Sequence, residues 1–272
     1  MNQQFDLIVI GDSKKGNEVV KKIASANAQI KIAFVSKVFK STTTHDYLNV
    51  EYIKEEIAFI DYKNRLFGCY LKNGDQLYST HVIIASGIKY EPFKLGNRIV
   101  PNVFNTTDDL PKQLKNQPVI VIGKENDDIK FALAVAKKVK QVYFCIKDIQ
   151  IPNASTANLK KLETTDNIVV LPNASVIKIL APKGSLKAVE LDNYSAVTCS
   201  AIFIKTRSTP DIAFVSNKLM QKNAEGFLLT KNNLESTLAP NCFAIGNCTS
   251  KSTKTMMQQM VEDILKYFKE EN

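Results

Sequence analysis

The chain has 272 residues, which allows two modest domains or one large one, and 44% of them are hydrophobic, enough to fill ordinary cores. No apolar run approaches the ~20 residues that a membrane-spanning helix needs, so we expect no membrane association. The net charge of +9 comes almost entirely from lysines scattered along the chain, without a basic stripe carrying interleaved aromatic residues, so we expect no nucleic-acid partner.

The five cysteines include no CxxC pair and have no histidine nearby, which argues against a zinc site and against a disulfide framework. Together with an N-terminus that lacks the basic start of a signal peptide, this usage predicts a cytoplasmic protein. We expect buried, structural roles for most of the thiols, namely Cys69, Cys145, Cys199 and Cys242. Cys248 is expected to be exposed, His45 to lie in a loop and His81 in a strand.

The first organised stretch is a βαβ unit. An apolar run over residues 7–10 ends at Gly11, a helical pattern follows over residues 14–28, and a second apolar run covers residues 30–35. A strand, a tight turn, a helix and a parallel strand in this order are typical of a unit that binds a phosphate at the helix N-terminus.

The next stretch predicts a meander. Residues 37–49 are polar and are interpreted as a loop, after which the hydrophobic period becomes two over residues 50–60, 66–71 and 76–85. The Asn73-Gly74 pair between the last two runs is a strong type I′ hairpin signal. A connection containing prolines then leads to residues 105–109.

The same order then recurs. A second βαβ unit covers residues 118–146, and a second meander is predicted over residues 168–180, 186–191 and 197–204. A short strand at 242–246 and an amphipathic helix from about residue 255 to 269 close the chain. The predicted fold class is therefore α/β, with two Rossmann-like dinucleotide-binding-type domains that each carry a β-meander.

This order of elements, with Ala85-Ser86-Gly87 after the first meander and Phe243-Ala244-Ile245-Gly246-Asn247 before the last helix, resembles the bacterial thioredoxin reductases. These are FAD- and NAD(P)-dependent flavoproteins of the pyridine nucleotide-disulfide oxidoreductase family. The resemblance implies an FAD-type domain built from residues 1–107 and 240–272, on which the C-terminal helix packs. It also implies an NAD(P)-type domain inserted between them at residues 108–239.

The first phosphate-binding turn keeps part of the family's GxGxxG pattern. Gly11 and Gly16 remain, but Ser13 replaces the glycine that lets a pyrophosphate approach. Its Cβ would crowd the phosphate, although its hydroxyl could also donate to it. Lys14 and Lys15 make the local charge favourable to phosphate, or are simply solvated, and Ser36 stands where an acidic residue would hold the ribose. These residues leave nucleotide binding open.

Two further segments complete the candidate FAD site that the resemblance implies. Ser86 and Gly87 match the Ala-Thr-Gly that closes the flavin site, and Gly246-Asn247 stands where the family has Gly-Asp. We expect any FAD to bind at this first site, more weakly than in family members that keep every motif. The candidate cofactor-binding residues are Gly11, Ser13, Lys14, Gly16, Ser36, Ser86, Gly87, Gly246 and Asn247.

The second turn keeps only its first glycine, Gly123. Glu125 replaces the glycine that would admit pyrophosphate, and Asp127 and Asp128 fall in the first helical turn. A bound phosphate would meet these carboxylates at a cost of about 1–4 kcal/mol, so we expect no NAD(P) binding here.

The family's redox dithiol aligns with Asn105 and Asp108, so a disulfide-exchange nucleophile is absent and we predict no catalytic residue. Two functions remain open. The first is an FAD-dependent oxidoreductase of thioredoxin reductase type without the CxxC dithiol and without a competent NADPH site. The alternative is a cofactor-poor pseudoenzyme that acts as a binding or scaffold protein, as a homodimer or paired with an active homologue.

Overall fold

The computed structural model describes residues 2–39, 47–107 and 110–270. The chain forms two compact units. Unit 1 comprises Met1–Lys89 and Ser208–Asn272, and unit 2 comprises Tyr90–Arg207. Within the described residues, none of the helices is long and apolar enough to span a lipid bilayer.

The helices and strands follow one another as three groups along the chain. The first group is β1 (Asn2–Gln4), β2 (Leu7–Ile10), α1 (Lys14–Ala26), β3 (Ile32–Val35), β4 (Val50–Ile53), β5 (Ile57–Lys63), β6 (Leu66–Leu71), β7 (Gln76–Ser79), β8 (His81–Ile84) and β9 (Ile88–Tyr90). The second is β10 (Lys94–Leu95), β11 (Arg98–Ile99), β12 (Val103–Phe104), β13 (Pro118–Gly123), α2 (Asn126–Ala136), β14 (Gln141–Ile146), α3 (Thr156–Glu163), β15 (Ile168–Leu171), β16 (Val176–Leu180), β17 (Ala188–Leu191), β18 (Tyr194–Thr198) and β19 (Ile202–Ile204). The third is β20 (Ser208–Pro210), β21 (Cys242–Ala244) and α4 (Lys254–Glu270).

Unit 1 is built on a parallel sheet in the order β21-β8-β2-β3-β4. Leu7 and Val9 face the side covered by α1 and α4, where Ile23 and Ile264 are buried. The alternate strand residues face a second sheet, β1-β7-β6-β5. The chain order reverses between β2 and β8, so the crevice at their carboxyl ends is the usual ligand position of such a sheet.

Unit 2 repeats this arrangement with the order β12-β19-β13-β14-β15. Helix α2 buries Ile129 and Val135 against one face of the sheet. The antiparallel sheet β16-β17-β18 packs against the other face of the parallel sheet, and the residues between the two sheets form a second buried cluster. The chain order reverses between β13 and β19, which places a second crevice at their carboxyl ends.

The structure confirms the predicted α/β class with two Rossmann-like domains, each with a meander, but it divides four predicted strands. Residues 50–60 become β4 and β5, residues 76–85 become β7 and β8, residues 168–180 become β15 and β16, and residues 197–204 fall in β18 and β19. In each pair one strand joins the parallel sheet and the other joins the meander, because the chain turns between them. Helix α3 and the short strands β1, β9, β10, β11, β12 and β20 were not predicted. Residues 40–46 of the predicted loop, with His45, lie outside the described residues.

The boundaries of the compact units lie at 89/90 and 207/208. The assignment of an FAD-type domain to residues 1–107 and 240–272 and of an NAD(P)-type domain to residues 108–239 stays a prediction. Residues 90–107 belong to unit 2 because β12 pairs with β19 and Val100 is buried in the core of that unit. Residues 208–239 belong to unit 1 because Met220 and Leu228 are completely buried in its core. The C-terminal helix α4 packs on unit 1, as expected.

Candidate functional site

Glycines end three of the parallel strands of unit 1. Gly11 after β2, Gly87 after β8 and Gly246 after β21 have φ angles of +106°, +73° and +78°. A Cβ on Gly11 would lie 2.6 Å from Ser86 Cα, and a Cβ on Gly16 would lie 2.4 Å from the Gly11 carbonyl oxygen. Gly11 and Gly16 are thus required for packing of strand, turn and helix, whether or not a nucleotide binds.

The first turn satisfies part of its own hydrogen-bonding capacity. The Ser13 hydroxyl caps α1 by accepting from the Gly16 N–H at 3.0 Å. The Asp12 carboxylate accepts from the Asn17 side-chain amide, and the Asp12 N–H donates to the Ser36 hydroxyl at 3.3 Å. Ser13 therefore has a structural role in the position where the family pattern has a glycine.

A cavity of about 570 Å³ opens at the carboxyl ends of β2, β3 and β8, entirely within unit 1. Its lining carries four carboxylates and three lysines, and each of these lysines has a carboxylate partner. Glu56 lies 2.8 Å from Lys72 Nζ and 3.5 Å from Lys37 Nζ, and the hydrogen bond from Lys72 contributes most to lowering the pKa of Glu56. Lys89 Nζ lies 3.7 Å from Asp211.

The structure brings only some of the predicted residues to this cavity. Gly11, Ser36 and Ser86 line it, together with Asp12, which sequence reasoning missed. Gly246 and Asn247 line a separate cavity of about 320 Å³ beside Lys15. The remaining predicted residues, Ser13, Lys14, Gly16 and Gly87, line neither cavity.

This distribution changes the expected electrostatics of the first turn. The expectation of a charge favourable to phosphate rested on Lys14 and Lys15, but neither lines the large cavity, whereas the Asp12 carboxylate does. The positive charge near the cavity instead comes from Lys37, Lys72 and Lys89, which follow other strands. No sequence motif marks these lysines as neighbours.

Ser86 lies at the end of β8, where the chain leaves the sheet. Of the buried side-chain oxygen and nitrogen atoms in the described ranges, only the Ser86 hydroxyl oxygen has no partner in hydrogen-bonding geometry. It lies beside the thiol of Cys248, which donates to the Ile245 carbonyl at 3.3 Å. Cys248 is completely buried, contrary to the expected exposure, because the turn after β21 folds its side chain inward.

The second turn contains its own anion. The buried Asp128 carboxylate accepts from the backbone N–H groups of Lys124 at 2.9 Å and Glu125 at 3.2 Å. Lys205 Nζ, after β19, lies 3.9 Å from the same carboxylate and donates to the Asp127 carbonyl at 3.0 Å. Consecutive backbone N–H groups of this kind form an anion-binding nest, and here Asp128 occupies it.

Asn105, at one position where the resemblance implies a redox dithiol, and the five thiols of the chain have structural roles. The Asn105 side-chain oxygen, at a dithiol position, accepts from both the N–H and the hydroxyl of Thr206 at 2.8 Å; Asp108 lies outside the described residues. All five thiols are buried. Burial raises the pKa of Cys145, Cys199 and Cys242 to about 12 and that of Cys248 to about 11, so thiolate does not form at neutral pH.

Comparisons with known proteins agree with this architecture. A sequence profile of the family described as pyridine nucleotide-disulphide oxidoreductase matches residues 5–246. A comparison with curated protein sequences gave no significant match.

Several solved structures share the fold over nearly the whole chain. The thioredoxin reductase of Lactococcus lactis has a TM-score of 0.69 and 16% identity, with 98% of this chain and 99% of that chain covered. The thioredoxin reductase of T. acidophilum has a TM-score of 0.63 and 16% identity, with 97% and 96% covered. A flavoprotein disulfide reductase of Escherichia coli has a TM-score of 0.66 and 16% identity, with 97% and 71% covered.

Proposed function

Because this chain belongs to the pyridine nucleotide-disulphide oxidoreductase family, we propose that it is a thioredoxin reductase-like flavoprotein that binds FAD in unit 1 alone. In this proposal it neither oxidises NAD(P)H at unit 2 nor exchanges disulfides. The observation that carries the proposal is the contrast between the two crevices. That of unit 1 opens into a cavity of about 570 Å³, whereas in unit 2 a smaller cavity of about 400 Å³ lies beside the turn, whose Lys124 and Glu125 N–H groups already bind the Asp128 carboxylate.

The residues of the unit 1 cavity fit a nucleotide in backbone shape and in most of their chemistry. Gly11, which has no side chain, lets the backbone at the end of β2 border the cavity directly. Ser36 and Ser86 offer hydroxyls at the lining, and Lys37 and nearby lysines supply cations for phosphate groups. When bound, FAD would supply two-electron redox chemistry, and the chain's own residues bind and orient it.

Asp12 is the feature that opposes phosphate binding. Its carboxylate lines the cavity directly after Gly11, so a pyrophosphate there would meet a like charge. Exposed to solvent on one side, such a repulsion costs about 1–4 kcal/mol, which corresponds to roughly 5- to 1,000-fold in affinity. We therefore expect FAD binding that is weaker than in a member of the family with an uncharged turn.

The proposed loss of NAD(P) binding follows from the geometry of Asp128. A dinucleotide phosphate would need the N–H groups of Lys124 and Glu125, which already donate to that carboxylate. Because Asp128 belongs to the same chain, it competes at a high effective concentration in every molecule. The charges of Asp128 and Lys205 thus neutralise one another, so Lys205 is already paired where it would otherwise attract a phosphate.

The second candidate function is a cofactor-poor binding or scaffold protein that pairs with a second copy or with an active homologue. The self-satisfied first turn favours it, because Ser13 caps α1 and Asp12 bonds Asn17 without any ligand. A reducing, cytoplasmic location belongs to both proposals. The two candidates differ in one measurable property, which is the presence of bound flavin.

The deciding experiment is a visible absorption spectrum of the purified protein before and after incubation with excess FAD, followed by release of bound flavin on denaturation. The flavoprotein proposal predicts a flavin spectrum and one equivalent of released FAD. Asp12→Asn removes the like charge from the cavity lining and should bind FAD more tightly than the unmodified chain, whereas the matched change Asp127→Asn in unit 2 should leave FAD affinity unchanged. Complete absence of bound FAD in both the unmodified chain and Asp12→Asn would favour the scaffold function.

A further inference from the structure

The unit 1 cavity lacks the usual ribose ligand. In Rossmann-type units an acidic residue after the second strand hydrogen-bonds the ribose hydroxyls, and here Ser36 follows that strand. The Ser36 hydroxyl is already engaged, because it accepts from the Asp12 N–H at 3.3 Å and donates to the Val38 carbonyl at 2.9 Å. A carboxylate for the ribose must therefore come from another element.

The neighbouring parallel strand brings two glutamates to the same place. Strands β3 and β4 pair in parallel with Val35 opposite Ile53, and the Ser36 N–H donates to the Ile53 carbonyl at 3.0 Å. The residues that follow β4 therefore lie beside those that follow β3. Glu55 and Glu56 stand in this turn, and both line the cavity.

Three of the four carboxylates that line the cavity already have strong side-chain partners. Glu56 bridges Lys72 and Lys37. Asp12 accepts from the Asn17 amide, and Asp211 pairs with Lys89. These three groups would have to give up a partner in order to bind a ligand hydroxyl.

Glu55 is the exception. One of its oxygens accepts from the Glu56 N–H at 2.8 Å, which fixes the carboxylate at the turn. Within the described ranges it takes part in no ion pair, and it is half-buried at the lining. A carboxylate has about four acceptor positions, so acceptor capacity remains for two ribose hydroxyls.

We infer that Glu55 binds the ribose diol of a nucleotide in the unit 1 cavity, in place of the acidic residue absent after β3. The inference rests on the proposed function, since it assigns a ligand group to the same cavity. It makes Glu55 a specificity-determining residue that favours ribonucleotides over 2′-deoxynucleotides. Hydrogen bonds from neutral hydroxyls to an ionised acceptor are among the stronger ones, so their loss is measurable.

The test is calorimetric titration of the full chain with ADP and with 2′-deoxyadenosine diphosphate. The unmodified protein should bind ADP about 10-fold more tightly than the deoxy analogue, the factor expected for one hydrogen bond to a charged group. Glu55→Ala should reduce this preference to within about two-fold. Glu51→Ala, a matched change on β4 at a residue outside the cavity lining, should keep the full preference.

The possible failures are distinguishable. If Glu55→Ala and the more conservative Glu55→Gln bind ADP and keep the unmodified preference, the ribose assignment is overturned while nucleotide binding stands. If the unmodified protein binds neither ADP nor FAD, nucleotide binding in unit 1 fails, and the role of Glu55 fails with it. Circular dichroism spectra of the variants establish that each is folded before titration.

Discussion

Replacing Asp128 by alanine tests whether this carboxylate is the internal anion of the second turn. The change removes the acceptor of two hydrogen bonds, at 2.9 and 3.2 Å, from the backbone N–H groups of Lys124 and Glu125. These two donors at the start of α2 then have no acceptor on residue 128. It also removes the buried partner of Lys205. The matched control is Asp127→Ala, which removes a neighbouring carboxylate of the same helical turn that pairs only with exposed groups.

The expected loss of stability follows from these contacts. A hydrogen bond to a charged group contributes about 1.5–3 kcal/mol, and the favourable charge at a helix N-terminus about 0.3–1 kcal/mol. Solvent can reach the exposed Lys124 and Glu125 backbone, which keeps the cost near the lower bound, at about 2–4 kcal/mol in total. The half-exposed Lys205 pair at 3.9 Å adds little. Asp127→Ala loses the same favourable charge at the helix N-terminus and the exposed Lys130 pair, and it should cost about 0.5–1.5 kcal/mol.

Urea unfolding of the three proteins measures these differences through the transition midpoints at unchanged slope. A second series of urea unfolding measurements on the same proteins uses sodium sulfate in place of sodium chloride at equal ionic strength. A sulfate ion that enters the vacated nest should stabilise Asp128→Ala more than Asp127→Ala. A loss below about 1 kcal/mol for Asp128→Ala, equal to that of the control, would refute the reasoning.

Three further predictions concern unit 1 and the thiols. Burial lowers the pKa of His81 to about 4, from an ordinary 6.5. Between pH 6.5 and about 4 the unfolded chain therefore binds a proton at His81 that the folded chain does not bind, so the free energy of unfolding decreases as the pH falls. The total effect on the free energy of unfolding is about 3 kcal/mol. Urea unfolding between pH 7 and 4.5 should therefore show a free energy of unfolding that depends less steeply on pH in His81→Gln than in the unmodified chain. An equal dependence on pH in the two proteins would contradict this. The five buried cysteines should react with an aromatic disulfide reagent only after denaturant is added, and rapid native-state labelling of Cys248 would show that its turn opens. Gly11→Ala should destabilise unit 1 with or without nucleotide, because its Cβ would lie 2.6–2.7 Å from backbone atoms, and an unchanged unfolding midpoint would contradict that packing.

Several features of the candidate site were accessible from local patterns. The two βαβ units, the hairpin at Asn73-Gly74 and the final strand and helix each depend on neighbours within a few residues, so periodicity and turn chemistry predicted them. The absence of cysteine at Asn105 is read from the sequence directly. The glycines that serve close packing, Gly11 and Gly16, could also be recognised from their spacing.

The sequence by itself therefore determined the fold class, the position of the turn after the first strand of each βαβ unit and the absence of a CxxC pair. Only the tertiary structure decided which side chains fill those turns and which surround the cavity. Parallel pairing joins strand ends that are far apart in sequence, so Glu55 comes to lie beside Ser36, and Lys205 beside Asp128. Such neighbours carry no local signal, because their proximity follows from sheet order and register, which are fixed by the packing of the whole unit.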